Sequence, residues 1–184
     1  MKRIPKIVCL FFFLFIFQSI IYGQENWINF KADAVLSFTI DVPTEMEFET
    51  KEISTAIGKL STQTYSLKGS SEDPNYLYLI NIVEYPIGTF PSDSLELMDE
   101  YIINSINSTV EKVDGELIYS SAIEGGQNGY GRLYRIKHNN DQLVIKGKSY
   151  IKKDAFLNIQ VFTTKDKSLN NEMNYFLDSF KAKF

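Results

Sequence analysis

The segment Tyr76-Leu-Tyr-Leu-Ile-Asn-Ile-Val83 is apolar on both sides of the strand period. Successive side chains of a strand point to opposite faces, so a strand of this composition must be covered on both sides. Asp73-Pro74-Asn75 sets the turn before it and Pro86 stops it. Whatever else the chain does, it has to build a sheet around this segment and cover both of its faces.

Two stretches carry a helical period. Leu95, Met98, Ile102, Ile106 and Val110 form one stripe, with Ile103 beside it, in a helix expected from about Asp93 to Glu111. Pro91 and Ser92 precede it, and Asp93 with Glu96 reads as a capping box. A closing helix is expected from about Ser168, with Leu169, Met173, Phe176, Leu177 and Phe180 on its apolar face. The remaining segments alternate: Trp27–Phe30, Leu36–Val42 ending at Pro43, Glu47–Ser54, Lys59–Leu67, and then residues near 116–123, 130–137, 142–152 and 155–163. In the last of these, Phe156, Asn158 and Gln160 against Leu157, Ile159 and Val161 read as one wet and one dry face. Strands in runs, with helices segregated from them, predict an α+β fold with an antiparallel sheet. There is no internal repeat or linker.

The N-terminus reads as a secretory signal peptide over residues 1–23: Lys2, Arg3 and Lys6, an apolar run from Ile7 to Phe17, and Gly23 before Gln24. The run of about 11 residues is short of the roughly 20 that span a bilayer. Extension through Ile20-Ile21-Tyr22 to about 16 leaves a retained anchor as the alternative. Cys9 lies inside the run, which argues against lipidation. Cleavage would leave residues 24–184 as a single domain. It would remove three of the 19 basic residues and none of the 23 acidic ones, taking the formal charge from −4 to about −7. It would also remove the single cysteine, and with it any disulfide or thiolate. The acidic balance speaks against nucleic acid as a partner.

Chemistry is sparse. Glu124-Gly-Gly-Gln-Asn-Gly-Tyr-Gly-Arg-Leu133 comes one step from a P-loop, but Arg132 and Leu133 stand where the Lys and the Ser or Thr belong. The residues that follow alternate like a strand and offer no helix N-terminus to a phosphate. Asn128-Gly129 suits a two-residue type I′ hairpin turn instead. His138 is the one histidine and adjoins the turn-like Asn139-Asn140-Asp141. There is no G-x-S-x-G elbow, and zinc ligands are missing. Ser71-Glu72-Asp73 and Asn139–Asp141 lack the spacing of a calcium loop. Lys146, Lys148, Lys152 and Lys153 read as a solvated face. Tyr76, Tyr78, Tyr85, Tyr119, Tyr130, Tyr134 and Tyr150 read as a sheet covering with hydroxyls at the rim. Asn107-Ser-Thr109 fits a glycosylation sequon inside the first helix. No catalytic, cofactor-binding or metal-binding residue is assigned.

The order of elements resembles the PsbP-like domains. Trp27…Phe30 with Leu36-Ser-Phe-Thr-Ile-Asp-Val-Pro43 is similar to their opening. Tyr76 to Tyr85-Pro86 is similar to their tyrosine-bearing strand, and Phe176-Leu-Asp-Ser-Phe180 to their closing helix. These domains comprise the extrinsic photosystem II subunit and its bacterial relatives, and share a fold with a small yeast Ran-binding import factor. The resemblance implies a central antiparallel sheet with helices packed on its faces, an α/β/α sandwich. No metal or partner residue of the photosynthetic members is matched, so none is carried over. The expectation is a non-enzymatic accessory protein of the periplasm or medium, without a cofactor. It would contact a protein of the cell envelope and have no membrane span once its signal is cleaved. The alternative is a carrier of a small apolar ligand between sheet and helix.

Overall fold

The structure is a computed structural model and describes residues 27–32, 36–55, 58–91, 93–123, 126, 128–138 and 143–183. The signal segment and the Asn139–Asp141 turn lie outside the described residues.

Among the described residues ten strands and two helices follow in the order β1 (Ile28–Ala32), β2 (Phe38–Val42), β3 (Glu47–Thr55), β4 (Gly58–Lys68), β5 (Asn75–Glu84), α1 (Leu95–Lys112), β6 (Gly115–Ile123), β7 (Tyr130–His138), β8 (Leu143–Lys152), β9 (Ala155–Thr164), α2 (Asn171–Ser179) and β10 (Lys181–Ala182). Seven of the strands form one antiparallel sheet in the order β3-β4-β5-β9-β8-β7-β6. A small sheet, β1-β2-β10, stands apart from it. The fold is therefore α+β, built on an antiparallel sheet with helices on its faces, as the alternation predicts.

β5 and β9 occupy the interior of the large sheet. On one face Tyr78, Ile80 and Ile82 of β5 join Leu157, Ile159 and Val161 of β9 beneath α2 and the small sheet. All six are fully buried. On the other face Ile136, Ile145, Ile151 and Phe156 meet Met98, Ile102 and Ile106 of α1. α1 packs over β6, β7 and β8 and does not reach across to β3 and β4. β3 is exposed along its whole length, including Phe48 and Ile53. That face of the sheet is thus covered on one half and open on the other.

Three local expectations are corrected. The first helix starts at Leu95, and Ser94 is its N-cap, without a side-chain capping bond. Ser94 N–H instead donates to Pro91 O at 3.0 Å, a turn that carries Asp93 outside the helix and out of capping position. Leu95 is consequently exposed rather than part of the core stripe. The closing helix is capped by Asn170, whose side chain accepts from Met173 N–H at 2.7 Å. Leu169 precedes that cap and is 86% exposed. Finally, Phe156, Asn158 and Gln160 are buried, not wet, because α1 and its flanking loop lie over them.

Tyr78 and Tyr134 are also core residues rather than rim residues. The Tyr78 hydroxyl is satisfied internally, donating to Asp73 at 2.9 Å and accepting from Asn75 at 2.9 Å. Glu84, at the end of β5, has a buried Oε1 with no partner among the described residues. Burial holds its carboxyl above the ordinary value of 4.5. The folded chain then binds this proton more tightly than the unfolded chain. Stability must fall as pH rises from about 4.5 through the raised folded value. Glu84→Gln is expected to stabilise the protein at pH 7 by on the order of 1 kcal/mol. Thermal scans should show that gain vanishing below pH 4; a gain equal at both pH values would refute the assignment.

Candidate functional site

A row of polar side chains crosses the α1 face of the sheet. Register places Thr64 opposite Asn81, Asn81 opposite Asn158, Asn158 opposite Ser149, and Ser149 opposite Arg132. Strand pleating puts all five on one side. Thr64 Oγ1 donates to Asn81 Oδ1 at 2.9 Å. Asn158 Oδ1 accepts from Tyr134 O–H at 2.6 Å and from Ser149 O–H at 3.1 Å. Arg132 ends the row by bonding Ser120 Oγ at 2.8 Å and Asp99 of α1 at 2.5 Å. Burial alone would raise the Asp99 carboxyl. The hydrogen bonds from Tyr130 and Arg132, with the arginine's charge, outweigh it and hold the group below its usual range.

Between α1 and the sheet this row borders a groove of about 520 Å³. One wall is the sheet, with Asn81, Ile145, Asn158, Gln160 and Phe162; the other is α1, with Tyr101, Asn104, Ser105, Ser108, Thr109 and Lys112. Thr109 O–H is turned back onto Ser105 O at 3.0 Å, so it stiffens the helix more than it serves the groove. The Tyr101 hydroxyl pairs with that of Tyr85. Burial, and then this bond, push its pKa upward, away from any acid–base role near neutrality. The lining contains no carboxylate, imidazole or thiol. Its polar groups are carboxamides, hydroxyls and the Lys112 ammonium, set beside Val113, Ile145 and Phe162; the carboxamides and hydroxyls donate and accept hydrogen bonds without a charge change.

The near-P-loop does turn a corner: β6 and β7 are antiparallel and β7, not a helix, follows. Arg132 is committed to Asp99 and Ser120 rather than to a phosphate site. The type I′ reading is corrected, however. Ile123 pairs with Gly131, so the connection is longer than two residues; Gly129 has φ +93° and its N–H bonds back to Gly126 O at 3.2 Å. Asn128 is held elsewhere. Its amide donates to Phe180 O at 3.1 Å and its carbonyl accepts from Ala182 N–H at 2.9 Å, tying the hairpin to the C-terminal strand.

Of the other expected features, His138 ends β7 opposite Gly115, far along the strand from Tyr130. Asp73 accepts from Asn75 N–H at 2.7 Å, a turn bond. Among the described residues no group of three or more His, Cys, Asp or Glu could hold a metal, and no helix is long and apolar enough to cross a membrane. Lys146 and Lys148 are not simply solvated. They lie beneath α2, bonded to Asn174 at 2.5 Å and Asp178 at 2.6 Å. The groove itself escaped the sequence because three strands and a helix assemble it. The one available signal was Asn81, a carboxamide inside an otherwise apolar strand.

This architecture, a large antiparallel sheet between a helix on one face and a helix with a small sheet on the other, is the PsbP-like fold. The solution structure of cyanobacterial PsbP (CyanoP) from Synechocystis sp. PCC 6803 is similar to it, with a TM-score of 0.56 over 88% of this chain and 95% of that one. The two sequences are 13% identical, so the likeness is one of fold. No family model matches the sequence, and no curated protein matches it.

Proposed function

We propose that this chain is a non-catalytic binding protein that works outside the cytosol, holding an extended segment of a partner protein in the groove between α1 and the open half of the sheet. The observation that carries this reading is the set of carboxamides lining the groove: half-buried Asn81 and exposed Asn104, beside Asn158 and Gln160, which are buried. A carboxamide offers the same donor and acceptor as a peptide group, so such a wall can pair with a backbone whatever its side chains. Catalysis would need a nucleophile beside a base; the hydroxyls of Ser105, Ser108 and Thr109 line the groove without a carboxylate or imidazole in the lining to activate them. A carrier of an apolar ligand would occupy this same place between sheet and helix. Hydrocarbon there would take the amide groups of Asn81 and Asn104 out of water without offering them a hydrogen bond, which costs free energy, so the lining favours the peptide. The location outside the cytosol rests on the leader-like residues 1–23 alone.

The test is capture of partners from the cell envelope by the tagged protein, wild type beside Asn81→Lys/Asn104→Lys. The wild type is expected to retain a protein that the double variant loses at least tenfold, while His138→Ala retains it in full. Equal capture by the double variant, or an apolar molecule held by the wild type in native mass spectrometry, would overturn the proposal. A matching melting curve confirms that the double variant folds.

A further inference from the structure

On the opposite face, beneath α2, the chain gathers positive charge. Arg135 of β7 and Lys146 of β8 are direct cross-strand partners, and Lys148 lies two residues on, on the same side. Like charges placed opposite one another on a sheet repel. Among the described residues one carboxylate answers them: Asp178, 2.6 Å from Lys148 and itself 70% exposed. Lys146 has a neutral partner, the Asn174 carbonyl oxygen at 2.5 Å. Arg135 donates to a backbone carbonyl, Ser168 O, at 3.2 Å. Burial, with the repulsion of Arg135 and Lys148, lowers the pKa of Lys146 despite the pull of Asp178. In a chain that is acidic overall, this cluster is undercompensated.

The two lysines open onto a cavity of about 330 Å³ between α2 and β6–β8, whose other walls include Ile123, Leu133 and Leu177. Asn174 and Asp178 complete the lining, so two ammonium groups face one carboxylate beside three aliphatic side chains; that balance matches an anionic head on a short apolar body. The volume sits at the lower bound of small-molecule sites. We propose that this cavity binds a small organic carboxylate, its head held by the ammonium groups of Lys146 and Lys148 and its hydrocarbon against Ile123, Leu133 and Leu177. The bound carboxylate would supply the missing counter-charge. Phosphate could satisfy the lysines as well, yet would leave the aliphatic walls without a partner.

The experiment uses octanoate as the probe, with inorganic phosphate as a second arm, and reads thermal shift and titration calorimetry on the full chain. Octanoate is expected to raise the melting temperature of the wild type in a saturable way. Lys146→Met, which keeps the stem and removes the charge, should weaken octanoate at least tenfold, as should Lys148→Met. Asp178→Asn should strengthen it. Lys146→Met relieves repulsion, so it is expected to fold, and Lys148→Met gives an independent reading. Binding of phosphate as tight as that of octanoate would overturn the assignment to carboxylates. Undiminished octanoate binding by both methionine variants, or none by the wild type at 10 mM, would overturn the site.

Discussion

Phe38→Ala is expected to lower the unfolding free energy by about 3–5 kcal/mol. Phe38 is 1% exposed and sits on β2, the middle strand of the small sheet. Its ring meets Tyr65 of the large sheet at 5.1 Å between centroids, Phe180 after α2 at 5.4 Å, and Phe30 of β1 at 6.2 Å. One side chain thus joins three elements that share few backbone bonds, and its loss leaves a cavity that no single neighbour can collapse into. Phe48→Ala is the contrast. Phe48 also stacks on Tyr65, at 4.8 Å, but it is 56% exposed on the edge strand β3. Its removal should cost less than about 1 kcal/mol. Urea unfolding of both variants decides the matter. Similar losses would mean that the small sheet is not held through Phe38.

The strands were legible because two independent signals agreed at each: alternation along the segment and a turn residue at its ends. Asp73-Pro74-Asn75 before β5 and Pro86 after it bound the strand to within a residue or two. Where one signal stood alone, tertiary packing decided instead. Asn158 and Gln160 alternate with apolar neighbours as solvent-facing residues do, yet α1 covers them, and hydrogen bonds to Asn158 replace the lost water. Asp93 has a good capping composition, but the Pro91 turn displaces it. Lys146 and Lys148 looked solvated because nothing local reports that α2, more than twenty residues on, returns over them. β10 is two residues long and is defined by pairing with β2, so it has no period to read. The groove shares this limit: its carboxamides come from β5, β9 and α1, and their meeting is a property of the topology.

Gly147→Ala carries a penalty of the same order, from overpacking rather than from a void. A Cβ at Gly147 would stand 2.4 Å from Tyr134 Cζ and 2.5 Å from its hydroxyl oxygen. Tyr134 is fully buried and lies across Gly147 on the neighbouring strand, as register requires. Its ring cannot share that space, so it must leave, and its bond to Asn158 leaves with it. Strain together with the lost bond is expected to cost about 3–4 kcal/mol. Tyr134→Ala alone should cost about 3–5 kcal/mol through the cavity it leaves. In the double variant the new methyl group enters that cavity, so the two losses should fall short of their sum by about 1–3 kcal/mol. Additive losses would show that the ring does not need the glycine. The cycle also bears on the groove, since Asn158 is one of its walls. If displacing Tyr134 frees that carboxamide, partner binding should fall in Gly147→Ala at temperatures where the variant is still folded.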